Sequence, residues 1–364
     1  MMPSRFRRYL LPGIVFQSTV IAGGYGTGRE IVEFFLSLGP TAGLAAMAVT
    51  TAIWSAVAAA TFEFARRFQT FEYRSFFRRL MGPAWVLFEV TYVLMLLLVL
   101  AVVGAAAGAI AEETFGAPYA LGVIATIGTV ALLLFYGSSA IERVFAGWTF
   151  LLYAVYVALV IWSLARWGHE VSGAFRASRL ADGPWLLSGL RYAGYNLSAG
   201  AAVLFTVGHL RTRREAIGAG LLTGVIGILP AVFLYLGMVS HYPEIVERAV
   251  PANFLLEALG SRAFQVLFQV VLFGTLIETG TAMIHAVNER VAAARRERGQ
   301  ETPAWVRPAI AAAFLGVALS LTPLGLIDLI ASGYGTITWG FILFYVIPVL
   351  TLGIWRILRE GDAQ

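Results

Sequence analysis

Long apolar stretches separated by short polar ones recur along the whole chain. Each stretch is long enough to cross a bilayer as a helix, which requires about 20 residues. Charged residues and turn signals place the predicted spans at residues 10–38, 40–65, 84–111, 117–136, 144–166, 184–209, 215–240, 262–288, 306–322 and 325–356. The pattern therefore predicts an all-α polytopic membrane protein with about ten transmembrane helices.

The composition agrees with this prediction and excludes several kinds of chemistry. Hydrophobic residues make up 59% of the chain, charged residues 13%, and the mean hydropathy is +0.78. The absence of cysteine excludes disulfides and thiolate metal sites. The 4 histidines are scattered without metal-ligand spacing, so we expect neither a metal site nor a resident cofactor.

Arginine positions orient the spans. Because arginine-rich loops remain on the cytoplasmic side, both termini are predicted to be cytoplasmic and the protein to lie in the inner membrane. The outer loop at residues 168–183 also carries arginines and fits the rule least well. The basic balance reflects topology and contact with the lipid bilayer, so no nucleic acid partner is expected. The arginines that set the orientation are Arg5, Arg7, Arg8, Arg66, Arg67, Arg74, Arg78, Arg79, Arg143, Arg211, Arg213, Arg214, Arg290, Arg295, Arg296 and Arg298.

An even number of spans allows two halves of five, residues 1–167 and 184–364, inserted in opposite orientations. Glycine-rich segments interrupt the first span of each half, "AGGYGTG" at residues 22–28 and "YAGYNLSAG" at residues 192–200. In inverted-repeat carriers the substrate binds between such discontinuous helices. The alternative is that the glycines allow close helix packing. The predicted substrate-binding residues are Gly23, Gly24, Tyr25, Gly26, Thr27, Gly28, Ala193, Gly194, Tyr195 and Asn196.

The first interruption offers two kinds of polar group. A half-helix that begins near Gly28 presents free amides and a positive dipole end, which suit a carboxylate. The carbonyls released on the other side of the interruption suit a cation.

The segment "GGYGTGRE" resembles the first-helix motif of YkvI-type membrane proteins, which are grouped with amino-acid permeases in the amino acid–polyamine–organocation superfamily. The residues that match this motif are Gly24, Tyr25, Gly26, Thr27, Gly28 and Glu30. Arg29 stands where that motif has glutamine. The resemblance implies a LeuT-type fold, a 5+5 inverted repeat with helices 1 and 6 broken, and transport of an amino acid or related small solute.

Ionisable residues within spans are costly and mark candidate functional positions. Glu30 with Arg29 or Arg191 forms either a structural ion pair or part of a gate. As in similar carriers, Arg29 could pair with Asp328 as an outer gate. The alternative for Asp328 is a solvated loop position.

The eighth span carries Thr275, Glu278 and Thr279 at spacing i, i+3, i+4, so the three side chains share one helix face. The resemblance implies that this face supplies oxygen ligands to a coupling cation. Sodium bound directly and a proton carried by the carboxylate are both candidates. Alternatively, the threonines bond to their own helix and Glu278 pairs with a buried arginine.

The function predicted from the sequence is cation-coupled secondary transport of a small-molecule substrate by alternating access. A passive channel or facilitator would need a continuous polar stripe along several spans. A membrane enzyme would need clustered catalytic side chains. Metal-ion carriers of the implied fold use an Asp-Pro-Gly-Asn segment in helix 1 and a methionine in helix 6, and neither is present.

Overall fold

The structure, a computed structural model, describes residues 4–359 apart from residues 22, 137–147, 181–183 and 297–298. Within this part the chain is all-α. Its helices are α1 (Ser4–Tyr9), α2 (Leu11–Val20), α3 (Gly23–Gly26), α4 (Arg29–Phe34), α5 (Pro40–Phe68), α6 (Tyr73–Met81), α7 (Trp85–Phe115), α8 (Tyr119–Tyr136), α9 (Trp148–Ala177), α10 (Trp185–Asn196), α11 (Gly200–Val203), α12 (Arg213–Val239), α13 (Pro251–Leu259), α14 (Arg262–Arg296), α15 (Val306–Leu321), α16 (Gly325–Asp328), α17 (Gly335–Phe341) and α18 (Ile354–Arg359). Of the predicted features, Ala22, Arg143 and Arg298 lie outside the described residues.

Several of these helices have the length and apolarity of membrane spans. Among the described residues the stretches that meet both conditions are Pro40–Phe68, Tyr73–Phe115, Leu151–Ala177, Arg213–Val239, Arg262–Ala292 and Val306–Arg359. Large apolar side chains on the outside include Ile124 and Ile161, each 63% exposed, and Phe205, 71% exposed. A surface of this kind suits contact with hydrocarbon. The chain is therefore a membrane protein, as its hydrophobic pattern predicts.

Helices α5 and α12 pack closely against each other. A Cβ on Gly220 would overlap the backbone of Ala59, which cannot move aside as a flexible side chain would. Helix α10 joins the same group, because Trp54 Nε1 donates to the Ala193 carbonyl at 3.1 Å and Thr50 Oγ1 donates to the Gly189 carbonyl at 3.0 Å. Small residues thus bring together the helices that support the first and sixth predicted spans.

The sixth span differs from the prediction. Residues 192–200 do not unwind. Helix α10 continues to Asn196, a 3-10 turn follows at Leu197–Ala199, and Gly200 keeps right-handed helical angles, φ −57° and ψ −32°. The α-helix of the sixth span therefore ends inside the predicted segment, but the chain passes through a 3-10 turn and does not unwind as the first span does. The physical reason lies at Gly194, where a Cβ would overlap Thr338 Oγ1 and meet Ile342, so this glycine allows close packing against the last predicted span.

The fifth span is longer than predicted. Helix α9 runs to Ala177 and bends at Trp167, where φ is −126° and ψ is 21°. The Trp167 ring meets the ring of His241 edge-on, with the ring centroids 4.5 Å apart. Much of the loop predicted at residues 168–183 is therefore helical.

Several of the segments predicted to be cytoplasmic contact one another. Arg8 Nη1 is 2.7 Å from Glu215 Oε1, and Arg66 Nη1 donates to the Arg211 carbonyl at 3.3 Å. Arg356 donates to the Arg79 carbonyl. These contacts connect the N-terminal helix, the loop between spans 6 and 7, the loop between spans 2 and 3, and the last helix.

The last predicted span contains three π-helical stretches, Leu329–Tyr334, Ile342–Val346 and Val349–Gly353. The first ends at Tyr334 and the second includes Tyr345, and both tyrosines are fully buried. π-Helical turns are rare in proteins and occur frequently near functional sites.

Candidate functional site

The first predicted span leaves helical geometry twice. Helix α2 is followed by Ile21, with φ −75° and ψ 88°. A single helical turn, α3, leads to Gly28, whose φ of +81° is strained for any residue with a side chain. Thr27 Oγ1 donates to the Gly24 carbonyl at 2.9 Å and accepts from the Arg29 amide at 3.3 Å. Helix α4 starts directly after this turn.

Protein groups occupy the carbonyls of this turn. The Tyr25 carbonyl accepts from the Gly28 amide at 2.9 Å, and the Gly26 carbonyl accepts from the Tyr156 hydroxyl. The Thr27 carbonyl accepts from the Ala252 amide at the start of α13, at 2.9 Å. These three carbonyls of the turn therefore already accept hydrogen bonds.

Glu30 reaches back from α4 across the interruption and is buried, with 2% of its surface exposed. A Cβ on Gly24 would overlap the Glu30 carboxyl, so the side chain lies directly over this glycine. The Tyr195 hydroxyl of α10 donates to Glu30 Oε2 at 2.6 Å. The structure thus connects the first interruption to the sixth span through one carboxylate and one tyrosine.

Aromatic side chains surround this carboxylate. The rings of Tyr195 and Tyr334 stack with centroids 4.6 Å apart, and Phe34 lies 5.5 Å from Tyr195. Tyr25 and Tyr192 are also fully buried, and within the described residues their hydroxyls have no hydrogen-bond partner.

Glu30 lines a cavity of about 40 Å³ whose wall is formed by residues of five predicted spans. Tyr195 and Asn196 are the other predicted site residues in its wall. The remaining lining residues are Thr19, Val20, Tyr92, Met95, Leu96, Val99, Ser198, Ala199, Met283 and Tyr334. Sequence reasoning missed the part of this wall that comes from the third span, because one tyrosine in an apolar helix gives no local signal.

A second cavity, of about 260 Å³, lies beside the predicted coupling residues. Thr275, Glu278 and Thr279 all line it, together with Ser18, Thr19, Ile21, Leu152, Tyr153, Ala282 and Met283. The shared helix face is as the spacing predicts. Thr275 Oγ1 donates to the Val271 carbonyl of its own helix at 3.0 Å, and this bond leaves the oxygen lone pairs available.

Glu278 is half-buried in the wall of this second cavity. Among the described residues it forms no ion pair and no hydrogen bond. Its predicted alternative, a pairing with a buried arginine, is not present in that part of the chain. The two cavities are adjacent, since Thr19 and Met283 line both.

Arg29 does not form the predicted pairs. Its Nη2 is 2.6 Å from Glu33 Oε2, one turn along α4. Its Nη1 donates to the carbonyls of Val246 at 2.7 Å and Arg248 at 3.0 Å. In this structure Arg29 therefore pairs with neither Glu30 nor Asp328, and Asp328 is exposed. The reason is geometric, since the Arg29 side chain extends towards the loop before α13 and away from the Glu30 cavity. Glu30 forms no ion pair with Arg191 among the described residues.

The remaining predicted residues of the sixth span contribute mostly backbone contacts. The Arg191 carbonyl accepts from Thr338 Oγ1 at 2.7 Å. Asn196 Nδ2 donates to the Tyr192 carbonyl at 3.0 Å while lining the Glu30 cavity. Of the first-span residues, Gly23 and Gly26 begin and end α3.

Comparison with known proteins shows where this geometry is found. No family model matches the chain. It is 26% identical over 291 residues to the uncharacterized membrane protein YkvI of Bacillus subtilis (strain 168). The matched region covers 76% of this chain and 79% of that protein. The resemblance predicted from the first-span motif is confirmed.

Two solved structures share the architecture. The crystal structure of MhsT in complex with L-phenylalanine has a TM-score of 0.59 and 16% identity, over 97% of each chain. The crystal structure of a mutant of the manganese transporter from Eremococcus coleocola has a TM-score of 0.51 and 16% identity, over 94% of this chain and 78% of that one. Both are LeuT-fold transporters. This chain has a LeuT-type fold. At these identities the likeness establishes the fold alone.

Proposed function

We propose that this chain is a secondary transporter of the inner membrane, with ten spans in a 5+5 inverted repeat, that takes up an amino acid or related small solute by alternating access. The observation that carries the proposal is the pair of adjacent cavities beside the interrupted first span. Cavities with polar side chains in the wall beside a helix interruption are the arrangement that carriers use for substrate and coupling ion. The LeuT-type fold supports the same function.

The second cavity supports coupling to a cation. Glu278 and two threonines present oxygen atoms to one space, and the carboxylate has no counterion in the described part of the chain. A carboxylate in a membrane span requires compensation by a bound cation or by protonation. We infer that the coupling ion is a proton, because a carboxylate stands where sodium sites of this fold use neutral oxygens. Sodium is the other candidate.

The cytoplasmic location of both termini is part of this proposal. Contacts of the N-terminal helix and the last helix with the arginine-rich loops support this location, because such loops remain on the cytoplasmic side.

Uptake into proteoliposomes tests the proposal. A radiolabelled solute should accumulate against its gradient when the lumen is made alkaline, and Glu278→Gln should lose accumulation while retaining exchange of labelled for unlabelled solute. Glu301→Gln, which removes an exposed carboxylate at a loop, is the matched control and should accumulate like the parent.

Each other result has a defined meaning. Accumulation that follows a sodium gradient would replace the proton by sodium. Downhill flux without accumulation under either gradient would identify a facilitator. Accumulation by Glu278→Gln equal to that of the parent would refute the role of Glu278.

A further inference from the structure

Glu30 is a buried carboxylate whose charge no side chain balances. The neighbouring arginine, Arg29, is bonded to Glu33 and to two loop carbonyls. Within the described residues Glu30 takes part in no ion pair. The cavity that it lines contains no arginine, lysine or histidine. A carboxylate in such a place is either protonated or, when ionised, stabilised by a positive charge that enters the cavity.

The wall of the cavity indicates what kind of cation would fit. Metal cations of the hard class take several oxygen ligands. Here roughly half of the wall is apolar, formed by Val20, Met95, Leu96, Val99, Ala199 and Met283. The described residues contain no cluster of three or more histidine, aspartate and glutamate side chains of the kind that holds a metal ion. A cation with both a charged end and an apolar end matches this wall better than a metal ion does.

The polar groups of Glu30 and Tyr195 lie close together in the cavity wall, where both can contact an ammonium group. The Glu30 carboxylate and the Tyr195 hydroxyl lie 2.6 Å apart, and the Tyr195 ring stacks on Tyr334. A carboxylate accepts the hydrogen bonds of an ammonium group, and tyrosine faces attract cations.

The size of the cavity limits the ligand. A water-sized group requires roughly 10–15 Å³ of the same measure of volume. A cavity of about 40 Å³ therefore has room for about three such groups without a side-chain movement.

From these observations we propose that Glu30 binds the ammonium group of a small amine-bearing substrate, with Tyr195 holding the carboxylate in place. This inference rests on the proposed transport function and specifies the substrate class of that site. The carbon atoms next to the ammonium group contact the methionine, leucine and valine side chains of the wall. An anion or a neutral solute of the same size does not satisfy Glu30.

The experiment measures binding of three small probes to the purified full-length protein by thermal unfolding and calorimetric titration. Ethylammonium carries the positive charge, ethanol is its neutral isostere, and acetate is an anion of similar size. Ethylammonium should raise the unfolding temperature by mass action, and ethanol and acetate at the same concentration should not.

Two variants assign the effect to the site. Glu30→Gln keeps an acceptor for Tyr195 but removes the charge, and should weaken ethylammonium binding by about tenfold to a hundredfold. Tyr195→Phe keeps the charge and loses one hydrogen bond, so a loss of roughly threefold to tenfold is expected. Glu244→Gln removes a carboxylate of an exposed ion pair and should bind like the parent. If Glu30→Gln does not fold, Tyr195→Phe still tests the site.

The inference is overturned if acetate or ethanol stabilises the protein as well as ethylammonium does, or if Glu30→Gln binds ethylammonium with the affinity of the parent. Uptake of a solute that lacks an amino group would overturn it and leave the transport function intact. Ethylammonium binding that depends on Glu30, in a protein that moves no solute in proteoliposomes, would instead overturn the transport function.

Discussion

Gly28 offers the sharpest test of how the first-span interruption is built. Its φ of +81° lies in the left-handed region, where an L-residue costs roughly 1–2 kcal/mol. A Cβ there would also overlap the flexible end of Met238 and lie 3.4 Å from the Ala252 amide. Displacement of a packed neighbour adds roughly 1–3 kcal/mol. We therefore expect Gly28→Ala to lower the free energy of unfolding by about 2–5 kcal/mol.

Gly260 is the matched control, because it has a similar φ of +74° and open space where its Cβ would be. Gly260→Ala should cost only the backbone strain, roughly 1–2 kcal/mol. Equilibrium unfolding in detergent micelles measures both variants, and proteoliposome uptake should fall for Gly28→Ala alone. Equal destabilisation of the two variants would refute the packing argument, and a parent-like Gly28→Ala would refute the left-handed turn itself.

Three further predictions follow from single contacts. Arg29→Gln should lower the free energy of unfolding by about 1–3 kcal/mol, because the backbone carbonyls of Val246 and Arg248 lose their donor. The control Arg248→Gln removes only a side chain of an exposed ion pair and should change that free energy by less than about 1 kcal/mol. Gly194→Leu should reduce the yield of folded protein in size-exclusion chromatography, since the side chain would overlap Thr338, while Gly128→Leu, in open space, should not; normal folding of Gly194→Leu would contradict the packing argument. Burial lowers the pKa of His241 in the folded protein, so the histidine of the unfolded chain takes up a proton at higher pH than that of the folded chain. The unfolding temperature should therefore drop as the pH falls below about 6.5, and it should drop less in His241→Asn.

The two glycine-rich segments show how far the sequence could predict the site. Both look alike as patterns, and only the first leaves helical geometry. At Gly28 the backbone angle requires glycine, whereas at Gly194 the close approach of Thr338 requires it. The pattern of each segment does not show which residue packs against its glycine, because Thr338 lies far from Gly194 in the sequence. Periodicity did predict the shared face of Thr275, Glu278 and Thr279, because that face depends on one helix alone.

The wall around Glu30 could not be predicted for a similar reason. Tyr92 reaches the cavity from a span far away in sequence and lies in an apolar stretch without a distinguishing pattern. Tyr334 stands in the segment at residues 333–336, which repeats the "GYGT" of the first span, so here the sequence does carry a signal. Arg29 was predicted to pair with an acid across the site, and its partners are instead Glu33 in the next turn and two loop carbonyls. Pairing depends on the direction of a long side chain, which the spacing of charges along a chain does not specify.

Each π-helical stretch adds an extra residue to the helix of the last span. A π turn holds one residue more than the α turn that it replaces. Conversion of Leu329–Tyr334 to α geometry would rotate the residues on one side by about 100° relative to the other side, without breaking the helix. Tyr334 stacks on Tyr195 at the first of these stretches, and Tyr345 packs against Phe77 at the second. A shift of the last span by one residue at either stretch would therefore move an aromatic ring out of its contact while the helix remained continuous.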